Sequence, residues 1–165
     1  MGRMIALRSS VCIDAPAAHV WDRLARLEDI SLWSEAIVDA QCAQGLDHGI
    51  GAERTRRLPD GVTVRERWLA WEEGRSFTYE GVGVPLVSRA RNTWTVQPEG
   101  ERTLLTSAAE VILKGGRLGQ LLEPVVGLQF RRMGPRSLAA FKYLVEHGEA
   151  PRVRHAKLAP APAVC

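Results

Sequence analysis

The chain has 165 residues, with 22 Lys and Arg against 19 Asp and Glu, and a formal net charge of +3. Its 45% hydrophobic and 25% charged content is that of an ordinary globular protein, which excludes a disordered or collagen-like chain. Residues 150–165 carry three cations and no acid, so residues 1–149 hold 19 cations and 19 acids. The basicity belongs to the tail, and a charge-balanced body argues against a nucleic-acid partner.

The cysteines and histidines are scattered. Cys12, Cys42 and Cys165 are far apart and form no Cys-x-x-Cys pair, which predicts free thiols, a reducing compartment and a cytoplasmic location. The four histidines have no ligand-like spacing, so neither a metal nor another cofactor is expected. No apolar run reaches the roughly 18 residues that span a bilayer, so no integral membrane segment is predicted.

The first elements are a strand and two short helices. Residues 5–13 alternate apolar and polar side chains, which predicts a strand. Pro16 suits the first turn of a helix over 16–27, and a second short helix is predicted over 30–35.

Strand-sized runs separated by turn residues occupy the middle of the chain. Short Gly- or Pro-bearing connections at this spacing indicate an antiparallel meander. The predicted strands are 36–44, 51–58, 62–72, 75–82, 88–97 and 103–113.

The last element is a long helix. From Arg117 onward apolar residues recur at steps of three and four, which predicts a helix of nearly thirty residues, about 45 Å long. Pro124 and Pro135 predict a kink or break in it. The domain should end at residue 148, leaving 1–148 as one domain and 149–165 as a flexible basic Pro/Ala-rich tail.

These elements predict an α+β fold in which a curved seven-stranded antiparallel sheet wraps around the C-terminal helix. Alternation along the fourth strand indicates which of its residues face inward. That inner face comprises Val62, Val64, Glu66, Trp68 and Ala70.

The hairpin centred on residues 98–101 predicts four more inward residues. Its register is expected to place Trp94 opposite Leu105 and Asn92 opposite Ser107. Asn92 and Ser107 are then either ligand hydrogen-bonding groups or ordinary strand residues.

Several segments resemble a known family in order along the chain. The opening 9–21 has a strand, then Ala15-Pro16, then Val20-Trp21, and it is followed by the segments 64–68 and 141–146. The sequence is similar to the polyketide cyclase/dehydrase and lipid-transport branch of the START-like (SRPBCC, birch-pollen-allergen-like) superfamily over about residues 4–148. The resemblance implies a helix-grip fold with an apolar cavity between sheet and helix. Its members carry lipids, hormones or polyketides, and some catalyse cyclisation or dehydration.

The resemblance therefore implies binding of a hydrophobic or amphipathic small molecule, lipid or polyketide-like, in that cavity. On the helix, the implied wall residues are Leu122, Val126, Phe130 and Met133. Among the aromatic residues, Trp33, Trp68, Tyr79 and Trp94 are either structural or part of the cavity wall. Loops 45–51 and 81–88 are expected to open for the ligand. An alternative to a solvated helix face for Arg132 and Arg136 is that they flank the cavity mouth and meet an anionic ligand head.

The alternative function is that of a cofactor-free polyketide cyclase or dehydratase, in which Glu66 is the catalytic residue. A carboxylate alone on an apolar face would serve as a general acid or base or would orient a polar ligand end. One that is paired with an arginine, or that faces outward after a one-residue register slip, would be structural. For the aromatase/cyclase branch, the resemblance implies Arg and Tyr side chains inside the pocket that polarise carbonyls and assist enolisation. The corresponding positions in this sequence are Ala40, Ala70 and Gly81. Those residues lack polar side chains, which weakens that mechanism. A partner-stabilising interaction module is a further alternative, and homodimer formation is left open.

Overall fold

The computed structural model describes residues 4–165 and contains one antiparallel sheet in the order β1-β7-β6-β5-β4-β3-β2. The strands are β1 (Met4–Ile13), β2 (Asp39–Cys42), β3 (Glu53–Arg57), β4 (Thr63–Glu72), β5 (Ser76–Val82), β6 (Val87–Glu99) and β7 (Arg102–Leu113). Helix α2 (Gly116–His147) packs on β1 and β7. The predicted helix-grip architecture is confirmed. Residues 1–3 of the predicted domain lie outside the described residues.

Two short helices close one end of the sheet. Helix α1 (Ala17–Leu24) starts directly after Pro16 and buries Val20, Trp21 and Leu24. The second is a 3-10 helix over Leu27–Leu32, three residues earlier than the predicted start. It ends at Trp33, whose indole packs edge-on against Phe141 of α2 at 5.2 Å between ring centroids. The short helices therefore connect the sheet to the long helix.

The register of the β6–β7 hairpin differs from the prediction by two residues. Trp94 lies opposite Ser107 and Asn92 opposite Ala109, because pairing continues to Glu99 and Arg102 and leaves a two-residue turn. Gly100 in that turn has φ 66°, which glycine adopts without strain. A shift of two residues preserves the face, so Trp94 still points toward the core.

The predicted inner face of β4 holds only for its first part. Val64, Glu66 and Trp68 are buried, but the register shifts between Trp68 and Ala70. This bulge leaves Ala70 exposed, so its assignment to the inner face is wrong. Beyond the bulge Trp71 lies opposite Phe77, and the two rings stack at 5.3 Å.

Helix α2 is one continuous element of 32 residues, about 48 Å long, so of the predicted kink or break the structure contradicts the break. Pro124 and Pro135 both lie inside it and are both exposed. On the exposed side, water can hydrate the carbonyls that lose their amide partners. No helix of the described residues is long and apolar enough to cross a membrane.

Residues 149–165, predicted as a flexible tail, lie against the body of the protein. Cys12 and Cys165 form a disulfide, which corrects the prediction of three free thiols and removes the cysteine argument for a cytoplasmic location. The Cys12 amide donates to the Pro162 carbonyl at 2.7 Å, and the His155 amide to Glu35 Oε1 at 2.7 Å. Among the described residues, β1 is an edge strand that pairs with β7. The tail hydrogen-bonds to the free edge of β1 at Cys12.

Candidate ligand cavity

A cavity of ≈ 200 Å³ lies between the sheet and the middle of α2. The 3-10 helix closes one side, strands β5, β6 and β7 form the floor, and α2 covers it with the turns around Phe130, Met133 and Ser137. The cavity is smaller than the roughly 300–1,000 Å³ of sites for drug-sized ligands. It therefore suits a compact molecule or one segment of a longer one.

Aromatic side chains from three elements form one wall. Trp33, Tyr79 and Trp94 border the cavity and are otherwise buried. Trp33 packs edge-on against Trp94 at 5.5 Å between ring centroids. These contacts fix the rings in place, so the wall is largely preformed.

A chain of hydrogen bonds runs along the floor of the cavity. Ser107 Oγ donates to Asn92 Oδ1 at 3.0 Å, and Asn92 Nδ2 contacts the Tyr79 hydroxyl oxygen at 3.5 Å. All three residues border the cavity. Because Asn92 occupies an acceptor position on the Tyr79 hydroxyl, the phenolic O–H is free to donate to a ligand oxygen.

Glu66 is buried but not isolated. It lies opposite Arg54 in the β3–β4 register, and Arg54 Nε donates to its Oε2 at 2.7 Å. The Arg54 guanidinium also donates to the Leu27 carbonyl and lies 5.0 Å from the Trp68 ring centroid. Of the alternatives left open for Glu66, the structure therefore matches the arginine-paired one.

Arg56 supplies the second cation of this cluster. Its Nε lies 2.9 Å from Glu66 Oε1, but the contact lacks hydrogen-bond geometry, and neither atom has a hydrogen-bond partner among the described residues. Both side chains border the cavity. Two guanidinium groups therefore share one carboxylate, and the excess positive charge sits beside the cavity.

Most of the other predicted site residues either border the cavity or lie beneath it. Trp33, Tyr79, Asn92, Trp94, Ser107, Phe130 and Met133 border the cavity together with Glu66. Val64, Trp68 and Leu105 are buried beneath it and do not border it.

Leu122 and Val126 do not border the cavity. Leu122 is exposed, and Val126 packs on a smaller cluster around Ile5 and Val111. Arg132 and Arg136 border a separate groove between α2 and the tail, whereas Arg131 borders the cavity. The first turns of α2 carry apolar residues on both faces, so the helical spacing alone did not show which face points inward.

Arg56 is the main residue that sequence reasoning missed. Alternation in β3 places Arg54 and Arg56 on one face, and the neighbouring strand presents Val64 and Glu66 to them. Aligning the sequences of these two strands as an antiparallel pair would have placed both cations beside Glu66. Gly81, at one of the positions compared with the aromatase/cyclase branch, borders the cavity opposite Glu66 and adds no polar group.

Solved structures with this architecture come from bacteria and plants, at identities that show the fold alone. A protein of Thermus thermophilus matches with TM-score 0.73 and 19% identity over 87% of this chain and 99% of its own. The Zhui aromatase/cyclase of a Streptomyces species matches with TM-score 0.70 and 18% identity over 95% and 100%. Norcoclaurine synthase of Thalictrum flavum, solved with dopamine and hydroxybenzaldehyde, gives 0.66 and 16% over 91% of both chains. No curated protein matches.

The seven-stranded sheet, the covering helix and the cavity between them define a helix-grip fold. Residues 4–146 match the family described as polyketide cyclase / dehydrase and lipid transport, and the chain belongs to that family. At the level of the family, this supports ligand binding or cyclase activity.

Proposed function

We propose that this protein binds a compact amphipathic molecule whose apolar part lies against Trp33 and Trp94 and whose carbonyl or carboxylate oxygen meets Arg56. The observation that carries the proposal is the pairing of one carboxylate with two guanidinium groups beside an aromatic cavity. The excess charge favours an anionic or strongly polarised oxygen.

The polar residues of the cavity support the same orientation. Arg131 also borders the cavity, so Arg56 and Arg131 both accompany Glu66 there. Arg91 lies on the outer face of β6, opposite Glu80, which its guanidinium contacts at 3.3 Å. The Tyr79 hydroxyl supplies a neutral donor next to these charges. Apolar burial against the aromatic wall, at about 25 cal/mol per Å², would supply the affinity, and these donors would select the oxygen-bearing end.

The cavity volume limits the ligand. At ≈ 200 Å³ it accommodates one or two fused rings or a short acyl segment. A longer lipid or polyketide would extend beyond the cavity. We infer a lipid or polyketide-like ligand, in keeping with the family.

A cofactor-free cyclase or dehydratase activity is the second candidate. Glu66 borders the cavity, and its Oε1 accepts no hydrogen bond from the described residues. It is placed to take a proton from the carbon beside a carbonyl that Arg56 and Tyr79 polarise, and to return it to the departing hydroxyl as water leaves. An aryl β-hydroxyketone tests this, because loss of water gives a conjugated enone that absorbs in the ultraviolet. Turnover that persists in Glu66→Gln would refute the step.

Binding is tested by isothermal titration calorimetry with naphthoate, a bicyclic carboxylate, on the full chain and its variants. Arg56→Gln should weaken binding about tenfold or more, since it removes a charge-assisted contact, and Tyr79→Phe should weaken it severalfold. Methylnaphthalene lacks the carboxylate, so its binding should change little in either variant.

Arg65→Gln is the matched control. Arg65 lies one residue before Glu66 on β4, on the exposed face. It should leave naphthoate binding unchanged. Equal losses in Arg56→Gln and Arg65→Gln, or no loss in the former, would contradict the proposed orientation.

A further inference from the structure

The outward face of the first half of α2 is apolar. Its residues are between 42% and 75% exposed and recur at helical spacing on one side. This leucine face comprises Leu118, Leu121, Leu122, Val125 and Leu128. On an adjacent side of the same turns, Val126 and Phe130 pack against the sheet. The helix thus has a buried apolar side and a second apolar side that the described residues leave open.

Leu86 exposes another apolar side chain at the same end of the molecule. It is 52% exposed and has φ 64°, a backbone conformation that leucine rarely adopts. The Lys114 amide, just before α2, donates to the Leu86 carbonyl at 2.8 Å and holds the loop there. A strained backbone that presents a leucine to solvent indicates a role outside the folded core.

Cations flank the leucine face at both ends. Lys114 and Arg117 lie at its start, and Arg131, Arg132 and Arg136 follow it. All five are exposed, and none forms an ion pair with a carboxylate of the described residues. Glu123 is the single acid between positions 114 and 136. Arg132 lies one helical turn, about 6 Å, beyond Leu128. An otherwise charge-balanced body therefore concentrates positive charge around this exposed apolar face.

We propose that the leucine face and Leu86 dock on an anionic lipid bilayer surface. In this arrangement the leucines enter the boundary between headgroups and acyl chains, while the flanking cations contact lipid phosphates. A second copy of the chain fits poorly, because both ends of the face are positive. Parallel and antiparallel pairing of two such helices each bring cations against cations.

Docking would also orient the cavity. Val84, Phe130 and Arg131 border it, and the last two follow Leu128 closely on α2. This side of the cavity would then lie near the bilayer, where an amphipathic ligand could enter. Only this link rests on the proposed function, since docking itself does not require an occupied cavity.

Co-sedimentation of the full chain with vesicles tests the proposal. Phosphatidylglycerol/phosphatidylcholine vesicles should bind the protein, and pure phosphatidylcholine vesicles should bind it much more weakly. Leu121→Ser/Val125→Ser should lower partitioning about tenfold or more. Arg117→Gln/Arg132→Gln should lower it about fivefold per arginine at low salt. Leu69→Ser, an exposed leucine on β4, and Arg152→Gln/Arg154→Gln in the tail should leave it unchanged.

Several results would overturn the proposal. These are equal binding to both kinds of vesicle, no binding, or an effect of the control variants as large as that of the test variants. A dimer seen by light scattering that Leu121→Ser/Val125→Ser dissociates would assign the face to a second copy. Naphthoate titration of the same variants separates the two proposals. Lost vesicle binding with intact naphthoate binding supports docking, and naphthoate binding without any vesicle binding by the parent overturns docking alone.

Discussion

Replacing Glu66 by glutamine should strongly destabilise the protein. The side chain is buried, and its carboxylate faces the Arg54 guanidinium at 2.6 Å and Arg56 Nε at 2.9 Å. Without the carboxylate charge, two guanidinium groups remain beside each other with no anion between them. Loss of one partner of a buried pair costs about 3–5 kcal/mol, and glutamine retains one acceptor oxygen, so we expect about 3 kcal/mol.

The surface pair Arg57–Asp39 provides the matched comparison. It has a similar length of 2.8 Å and joins the neighbouring strands β2 and β3, but its side chains are 53% and 52% exposed. Solvent screening limits such a pair to about 0–1 kcal/mol. Arg57→Gln should therefore change stability by less than about 1 kcal/mol.

Urea unfolding followed by tryptophan fluorescence measures both variants, with the disulfide kept oxidised. A double-mutant cycle with Arg54→Gln isolates the coupling between Arg54 and Glu66. If Glu66→Gln and Arg57→Gln cost the same, the interpretation of Glu66 as a buried counterion would be refuted.

Three further predictions concern the tail and the cysteines. Cys165→Ser should lower the free energy of unfolding by up to about 5 kcal/mol, because the disulfide closes nearly the whole chain, and thermal melts with and without reductant should differ only in the parent. Burial holds the pKa of His155 below its usual value, so the unfolded chain takes up a proton first as pH falls. The stability from neutral His155 is then fully present above about pH 6.5 and lost below it, and melting temperature against pH should be flatter in His155→Gln. Burial also raises the pKa of Cys42 to about 11, so iodoacetamide should modify it slowly at neutral pH, and much faster in urea.

Local patterns predicted the strands well. The β6–β7 register was wrong by two residues because both a two- and a four-residue turn fit the segment 98–101, and only the pairing of Glu99 with Arg102 decides between them. The bulge after Trp68 also left no signal, because alternation alone continues through it. Both errors concern the geometry of pairing and not the identity of the elements.

The candidate site was harder to predict because it depends on contacts across the chain. Glu66 was identified as an inward carboxylate. Whether it is an isolated acid or a paired counterion depends on Arg54 and Arg56, which only strand pairing brings beside it. The disulfide joins positions 153 residues apart, and no local spacing could indicate it. The exposed positions of the α2 leucines could not be predicted either. The apolar character of a residue does not show whether its side chain packs in the core or lies on the surface.

Identification of the bound molecule tests the central proposal most directly. The protein would be purified from its native host, denatured, and its small-molecule content determined by mass spectrometry, with Arg56→Gln purified in parallel. We expect a compact or short-chain amphipathic molecule with a carbonyl or carboxylate oxygen, recovered from the parent and depleted in the variant. Consistent absence of any such molecule from the parent, together with no naphthoate binding, would contradict the proposal of a ligand-binding cavity.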